Sequence, residues 1–244
     1  VQMYYDRVER DQPGSINDRM DTWDLDAQYG FQLAEKHRLL WGVGYRRMRD
    51  ELDNLSPALA FIPASARLHR GHVFMQDEIA LSERVELTLG LKFEHNNYTR
   101  WEALPNARLA WRLDDTRLLW GALSRAVRAP SRVDRELFVP ANPPYLFAGG
   151  PRFESEIANV LEIGYRAQPL PQLSYSVTGF RHEFSRLRTV EPAPGGAIVG
   201  NGMEGALNGI EAWGSYRILP QWRLTAGYTR HRQKLTLLPG ITSL

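Results

Sequence analysis

Residues 85–94 read VELTLGLKFE, and this stretch decides the fold class. Val85, Leu87, Leu89, Leu91 and Phe93 alternate with residues that are polar or glycine. Because successive side chains of a β-strand point to opposite faces, the alternation predicts a strand with an apolar environment on one side and a polar one on the other.

About eleven segments of the chain share this period of two. They fall at residues 1–10, 20–31, 38–47, 71–81, 85–95, 104–113, 117–127, 157–166, 173–184, 206–218 and 222–231. The connectors between them alternate between short turns and long loops, as in outer-membrane barrels. A length of about ten residues is what a tilted strand needs to cross a bilayer. The sequence therefore predicts an all-β fold, an antiparallel transmembrane β-barrel segment.

Aromatic residues lie near the ends of the predicted strands, where membrane barrels carry aromatic girdles. The set comprises Trp23, Tyr29, Trp41, Tyr45, Trp111, Tyr216, Trp222 and Tyr228. One alternative is a soluble β-sandwich that binds glycans and buries its aromatic residues in a core. A second alternative is a smaller outer-membrane barrel enzyme, a lipase or a protease.

The composition is compatible with a membrane barrel. The chain has 244 residues, 43% of them hydrophobic, and a formal net charge of +2. Barrel strands dilute apolar residues with polar ones, so no run of roughly 18 apolar residues is needed. Cysteine is absent, which excludes disulfides and thiolate sites. The arginines are scattered along the chain, without the one-sided clustering of a nucleic-acid binder, so no nucleic-acid partner is predicted.

Catalytic and metal-binding motifs give little support to an enzyme. The chain has no Gly-x-Ser-x-Gly elbow, no His-Glu-x-x-His motif and no phosphate loop. His69 and His72 suggest a metal site, but no third ligand follows at suitable spacing, so two solvated histidines are favoured. Asp24 and Asp26 share one strand face, where solvated carboxylates paired with Arg38 or Arg46 are favoured over an acid–base or calcium pair. We predict no enzyme, cofactor or metal.

Four stretches resemble motifs of the TonB-dependent outer-membrane receptors, and they occur in the order of that family. Residues 74–78 (FMQDE), 120–132 (WGALSRAVRAPSR), 154–166 (ESEIANVLEIGYR) and 208–211 (NGIE) carry the resemblance. Eight positions in these stretches match motif positions that are structural in the family: Gln76, Glu78, Arg125, Pro130, Glu162, Gly164, Gly209 and Glu211. The resemblance implies that glycines here let the plug approach and that Glu162 and Glu211 face the barrel lumen.

This resemblance implies a barrel of about 22 strands that encloses an N-terminal plug domain. Residues 1–244 then correspond to the central part of the barrel domain, about half of it, without the plug and the TonB box. Val1 lies within a strand pattern, and Leu244 is not the terminal aromatic residue typical of barrels. The natural ends are therefore expected to lie beyond the chain.

The function implied by the resemblance is active uptake of a scarce ligand, a ferric siderophore, across the outer membrane of a Gram-negative bacterium. The implied partners are outer-membrane lipid, the ligand, and the TonB energy-transducing complex, which acts through the plug.

The connector at residues 128–156 holds the best candidates for ligand contact. Arg128, Arg132 and Arg135 precede Tyr145 and Phe147 in this proline-rich stretch. Guanidinium groups bind anions bidentately, and loop aromatics provide amphipathic contact area. The alternative is structural: Arg128 and Arg132 anchor the loop to carboxylates that face the lumen, such as Glu94, Glu162 or Glu211.

Overall fold

The computed structural model covers residues 1–244 and consists almost entirely of β-strands in one sheet. The elements are β1 (Gln2–Gln12), β2 (Ile16–Ala34), β3 (His37–Asn54), β4 (Ala60–Phe61), β5 (Ser65–Ala80), β6 (Val85–Asn96), β7 (Arg100–Asp114), β8 (Arg117–Arg128), α1 (Arg132–Glu136), β9 (Leu137–Val139), β10 (Phe147–Ala148), β11 (Glu156–Leu170), β12 (Leu173–Ala193), β13 (Gly196–Leu219) and β14 (Trp222–Leu237).

The long strands form an antiparallel meander in chain order, from β1 to β14. There are eleven of them, each of 11 to 24 residues. The sheet is open, because no pairing joins β14 to β1. This arrangement confirms the predicted all-β barrel segment, and a single continuous sheet contradicts the alternative of a two-sheet sandwich.

Several strands extend well beyond their predicted ends at the side of the long loops. β12 and β13 continue to a turn at residues 194–195, beyond the predicted ends of these strands at residues 184 and 206. Likewise, β3 continues to Asn54 and β5 begins at Ser65, whereas the predicted strands end at residue 47 and begin at residue 71. Extensions of this kind have similar surroundings on both faces, so they lack the contrast that produces alternation.

The two faces of the sheet differ in chemistry. On the apolar face, register aligns Trp111, Leu119, Tyr165 and Val177 in one row across four neighbouring strands. On the polar face, Arg46 of β3 donates to Asp24 of β2 at 2.6 Å. Hence Asp24 pairs with Arg46, and Arg38 pairs with Glu78 instead. Large apolar side chains stay exposed along the apolar face, which is the pattern of a lipid-facing surface.

Aromatic pairs mark both edges of the apolar belt. Tyr5 and Trp23 lie with ring centroids 4.6 Å apart towards the long loops, and Tyr165 and Tyr175 lie 6.1 Å apart towards the short turns. Such rings suit the headgroup level of a bilayer, because one end is apolar and the other is wet.

Burial is concentrated at the rim that carries the long loops. Only 19 of 244 residues are buried, so the sheet has no core of its own. Phe153, Asp134 and Ser155 are the largest fully buried side chains, and all three belong to the connector between β8 and β11. We call residues 129–155 the long loop. Its helix α1 has five residues, and no helix of the chain is long and apolar enough to cross a membrane.

Candidate ligand-binding site

The long loop starts with a capped helical turn. The Ser131 side chain accepts from the Asp134 amide, and the Asp134 carboxylate accepts from the Ser131 amide at 2.9 Å. This reciprocal pair is a capping box, which satisfies two backbone donors at a helix start. It fixes the direction in which the chain leaves β8.

Asp134 is 2% exposed and lies between two arginines. Arg128 Nη1 lies 3.0 Å from one carboxylate oxygen, and Arg188 Nε lies 3.5 Å from the other. Burial disfavours the charged carboxylate, but the Ser131 amide and the Arg128 guanidinium outweigh it and hold the pKa of Asp134 below its usual value. Asp134 is therefore an ionised anchor that ties the loop to β8 and β12.

Arg132 ties the loop to β3. Its side chain is 6% exposed; Nη1 lies 3.0 Å from Asp50 Oδ2, and Nε lies 2.6 Å from Glu136 Oε2. Further donation goes to the carbonyls of Pro63 and Ala64. A buried guanidinium is tolerated only when paired and hydrogen-bonded in this way.

Arg135 holds the two ends of the long loop together. Its Nε and Nη2 donate to the Phe153 carbonyl at 2.9 Å and 2.6 Å, and its guanidinium lies 5.2 Å from the centre of the Tyr98 ring. Tyr98 in turn donates to Glu136 at 3.0 Å. Burial and the Glu136 carboxylate raise the pKa of the Tyr98 hydroxyl well above its usual value, so Tyr98 remains a donor.

Phe147 lies in the short strand β10 of the loop, and Tyr145 lies two residues before it. Phe147 in β10 pairs with Val139 in β9 and with Ala197 in β13. Tyr145 packs against Phe138, with ring centroids 4.8 Å apart. Both predicted aromatic residues are thus half-buried in the loop rather than fully free.

The structure places all three predicted loop arginines in ion pairs or carbonyl contacts. Arg128 also donates to Glu156, so its carboxylate partners are Glu156 and Asp134. The predicted anchors Glu94, Glu162 and Glu211 make no ion pair with these arginines. The carboxylates that do pair with them lie in the long loop or towards strand ends, where the alternation of polar and apolar residues does not predict partners. They are Asp50, Asp134, Glu136 and Glu156.

A cavity of about 380 Å³ lies beneath the start of the long loop, on the polar face of the sheet; we call it the rim cavity. It is lined by Met48, Leu68, His69, Arg70, Glu94, Asn96, Asn97, Tyr98, Val127, Arg128, Ala129 and Pro130. Pro130 is buried, whereas Arg70 is exposed and forms no ion pair. The cavity thus combines an open cation with apolar and amide groups, and its one carboxylate, Glu94, is paired with Lys92 at 3.1 Å. The open guanidinium suits an anionic small molecule.

Arg70 was not predicted as a binding residue, although the alternation of polar and apolar residues in β5 indicates the face on which it lies. Register aligns Arg46, Arg70, Asn96 and Arg100 in one row of the polar face, just below the loop. Extending the alternation of β5 upstream from Phe74 places Arg70 on this face. His69 lies on the opposite face, with Nδ1 at 2.7 Å from the Tyr45 hydroxyl, so His69 and His72 do not share a metal site.

The remaining motif positions lie away from the cavity. Gln76 donates to Glu78 at 3.1 Å, and Arg125 donates to the Ala103 carbonyl and lies 3.4 Å from Glu102. These contacts stay within the sheet or between neighbouring strand ends.

Four motif positions share two adjacent rows of the polar face. Glu162 pairs with Phe180, which pairs with Gly209; Gly164 pairs with Thr178, which pairs with Glu211. A Cβ on Gly164 would collide with the Trp120 indole, and one on Gly209 would meet the Phe180 ring. The two glycines therefore leave room for the rings of Trp120 and Phe180 on the polar face.

Comparisons with known proteins agree with this architecture. A family model described as TonB dependent receptor-like, beta-barrel matches residues 2–241. No curated protein matches the chain. Three solved structures share the fold.

The siderophore receptor PirA from Pseudomonas aeruginosa matches with a TM-score of 0.76 and 16% identity, over 95% of this chain and 44% of that one. The ferric enterobactin receptor PfeA from the same organism matches with a TM-score of 0.72 and 18% identity, over 88% of this chain and 36% of that one. The FrpB iron transporter from Neisseria meningitidis matches with a TM-score of 0.71 and 14% identity, over 93% of this chain and 38% of that one. The chain spans less than half the length of each of these structures.

Proposed function

Because this chain belongs to the TonB-dependent receptor family through its β-barrel, we propose that it forms part of an outer-membrane receptor that imports a ferric siderophore. In this proposal, residues 1–244 supply part of the barrel of a receptor in a Gram-negative outer membrane. The plug and the TonB complex supply the energy step, which these residues do not encode.

The observation that carries the proposal is the rim cavity beneath an anchored loop. Arg70 offers an unpaired guanidinium there, and Arg128, which is paired with Asp134 and Glu156 but has a side chain 47% exposed, lines the same cavity. Ferric siderophores are often anionic, and guanidinium groups bind such ligands through charge-assisted hydrogen bonds. The similarity to structures that are named siderophore receptors supports the same ligand class.

The proposal gives the predicted loop residues different tasks. Arg128 and the half-buried Tyr145 and Phe147 have open surface for contact with a ligand. Arg132, at 6% exposure, and Arg135, through the Phe153 carbonyl, hold the loop in position. Ligand contact and loop geometry are thus divided among neighbouring residues of one segment.

The test compares two arginines of β5 that lie on opposite faces. Arg70→Gln removes the open cation of the rim cavity, whereas Arg67→Gln removes one from the apolar face. In the protein at its full encoded length, Arg70→Gln should weaken the binding of ferric enterobactin, used as the probe, by roughly tenfold or more, because a hydrogen bond to a charged group contributes about 1.5–3 kcal/mol.

Uptake of radioactive iron from the same probe, in cells with and without TonB, tests the transport step. Uptake that requires TonB and falls with Arg70→Gln but not with Arg67→Gln supports the proposal. TonB-independent uptake, or equal loss in both variants, contradicts it.

A further inference from the structure

The sheet is split between β7 and β8 on the side of the long loops. Pairing of these two strands ends at Asn106 and Ser124, although both strands continue towards the loops. Over that length each strand stays paired on its other side, β7 with β6 and β8 with β11. We call the unpaired stretch, residues 100–105 of β7 beside residues 125–128 of β8, the seam. It lies well inside the sheet, so it does not arise from either end of the chain.

Pro105 explains where the pairing stops. The Arg112 amide donates to the Arg84 carbonyl, so the even-numbered residues of β7 direct their backbone groups to β6 and the odd-numbered ones direct theirs to β8. Pro105 is therefore turned towards β8, and it has no N–H to donate. The ladder accordingly ends at the neighbouring Asn106.

Arg125 bridges the seam. Ala103 is turned towards β8, where the ladder supplies no partner for its carbonyl, and the Arg125 guanidinium donates to this carbonyl instead. Arg125 Nη2 also lies 3.4 Å from Glu102 Oε2. The side chains of Arg125 and Glu102 are 26% and 11% exposed, so the pair is largely shielded from water.

The contact between Arg125 and Glu102 passes from one face of the sheet to the other. Register places Arg125 on the apolar face and Glu102 on the polar face. Paired strands lie about 4.8 Å apart and leave no room for a guanidinium group between them. A groove of about 560 Å³ lies at the foot of the seam, where it is lined by Pro105, Ser124 and Arg125 among others. The seam is therefore wide enough for the side chain to cross.

The rim cavity lies across the upper end of the seam. One wall comes from β3, β5, β6 and the turn that follows β6, and it includes Arg70. The other wall comes from the end of β8 and includes Arg128. The width of the seam therefore sets the distance between these two guanidinium groups.

The long loop closes the seam at its top. Tyr98 donates to Glu136 at 3.0 Å, and the Thr99 and Ser155 hydroxyls lie 3.0 Å apart. These contacts join the turn after β6 to the loop and do not involve Arg125. Loss of Arg125 should therefore alter the strand ends below the loop and leave the anchors of the loop intact.

We propose that Arg125 is a positioning residue for ligand binding. By bonding across the seam, it fixes the walls of the rim cavity at the separation at which Arg70 and Arg128 bind one anion together. The proposal rests on the proposed function and deepens it with a residue that does not touch the ligand. Charge-assisted hydrogen bonds from two guanidinium groups to one anion require both groups within reach, so the separation of the walls decides the affinity.

The first test measures binding of ferric enterobactin to the protein at its full encoded length in detergent. Arg125→Gln should weaken binding roughly tenfold, because one hydrogen bond to a charged group is lost when the walls separate. Arg125→Lys should bind with intermediate affinity, since an ammonium group keeps the charge without the forked donors. Arg108→Gln, which removes an exposed arginine without an ion pair from the polar face of β7, is the matched control. Equal binding by Arg125→Gln and the control overturns the proposal.

A double variant separates positioning from a general loss of stability. If Arg125 acts through the placement of Arg70, then Arg70→Gln should weaken binding much less in the Arg125→Gln protein than in the unaltered one. Arg70 and Arg125 share no contact, and β6 and β7 lie between their strands, so unrelated effects would multiply. Multiplication of the two losses contradicts the proposal.

Hydrogen exchange without ligand tests the seam itself. Arg125→Gln should speed exchange at residues 100–105 and 125–128 and leave residues 129–155 unchanged. Unchanged exchange at the seam overturns the proposal even where binding is weaker. If the unaltered protein binds no ferric enterobactin, the proposed function is wrong, and the role of Arg125 in ligand binding falls with it. Normal binding by both the unaltered protein and Arg125→Gln refutes this inference alone.

Discussion

At the rim of long loops, Arg132 and Asp50 form an ion pair with exposures of 6% and 14%, whereas at the opposite rim Arg117 and Asp114 form one with exposures of 53% and 35%. The first pair closes a layer of loop over the sheet; the second stabilises a tight turn in water. An arginine–aspartate ion pair therefore has a different structural role at each rim of the sheet. Most of the buried residues lie where loop residues cover strand ends, and the sheet between the two rims leaves large apolar side chains exposed.

Among the substitutions considered, removal of Arg132 should have the largest effect on the difference in stability between the long loop and the rest of the sheet. Arg132→Ala leaves the Asp50 and Glu136 carboxylates without their partner, which typically costs about 3–5 kcal/mol at a buried site. We expect faster hydrogen exchange in residues 129–155 and unchanged protection in β6. Arg152→Ala, in an exposed part of the same loop, is the control. Uniform loss of protection across the sheet would show that the two regions are not separate.

Acidification should open the same loop through Asp134. Its folded pKa lies below the unfolded value of about 3.9, so its contribution is present above that pH and is lost as the pH falls towards the folded pKa. Hydrogen exchange of residues 129–155, corrected for the intrinsic effect of pH, should therefore rise below about pH 4. In Asp134→Asn the loop should exchange faster at neutral pH and respond less to acid. If Asp134→Asn shows the same pH dependence of hydrogen exchange as the unaltered protein, other carboxylates cause the opening.

The middle of the sheet should be sensitive to one methyl group. Gly164→Ala forces the Trp120 ring out of its place on the polar face, and overpacking of this kind costs about 1–3 kcal/mol. Gly121→Ala is the matched control, because its Cβ would have no atom nearer than 3.6 Å. Thermal unfolding in detergent should separate the two variants. Equal melting temperatures would mean that the Trp120 ring moves freely.

The smallest effect is expected at the rim of short turns. Asp114 accepts from the Thr116 amide at 2.9 Å and from its hydroxyl at 2.8 Å, and hydrogen bonds from Arg117 and Thr116 lower the pKa of its carboxyl. Asp114→Asn should leave loop protection and siderophore binding unchanged and alter only local exchange at residues 115–117. An effect on the long loop would reveal coupling between the rims.

The sequence predicted the membrane part of the sheet well and the rim poorly. β6 was predicted at residues 85–95 and runs from Val85 to Asn96, because unlike environments on its two faces impose strict alternation. β13 was predicted to begin at Ala206 and begins at Gly196, because the stretch with Gly200 and Gly202 packs against loop residues and lacks that contrast. No local rule predicts α1, β9 or β10 as partners of strands far away in the chain.

The candidate site shows the same limit. The loop arginines were identified from residue type, but their partners Asp50, Asp134 and Glu136 depend on how the chain folds back over β3. Arg70 was within reach of the alternation pattern, because it lies two positions before His72 on the same strand face. A cavity between strand ends and a loop, by contrast, is a property of tertiary structure alone.

The anchoring of the long loop has a consequence for evolution. Its ends are fixed by Arg132, Asp134 and Arg135, whereas residues 142–144 at its tip are exposed. Substitutions at the tip leave all three anchoring residues in place, so the sequence of the tip can vary without loss of the loop's attachment. Such substitutions can therefore change the exposed surface of the loop without rebuilding the barrel.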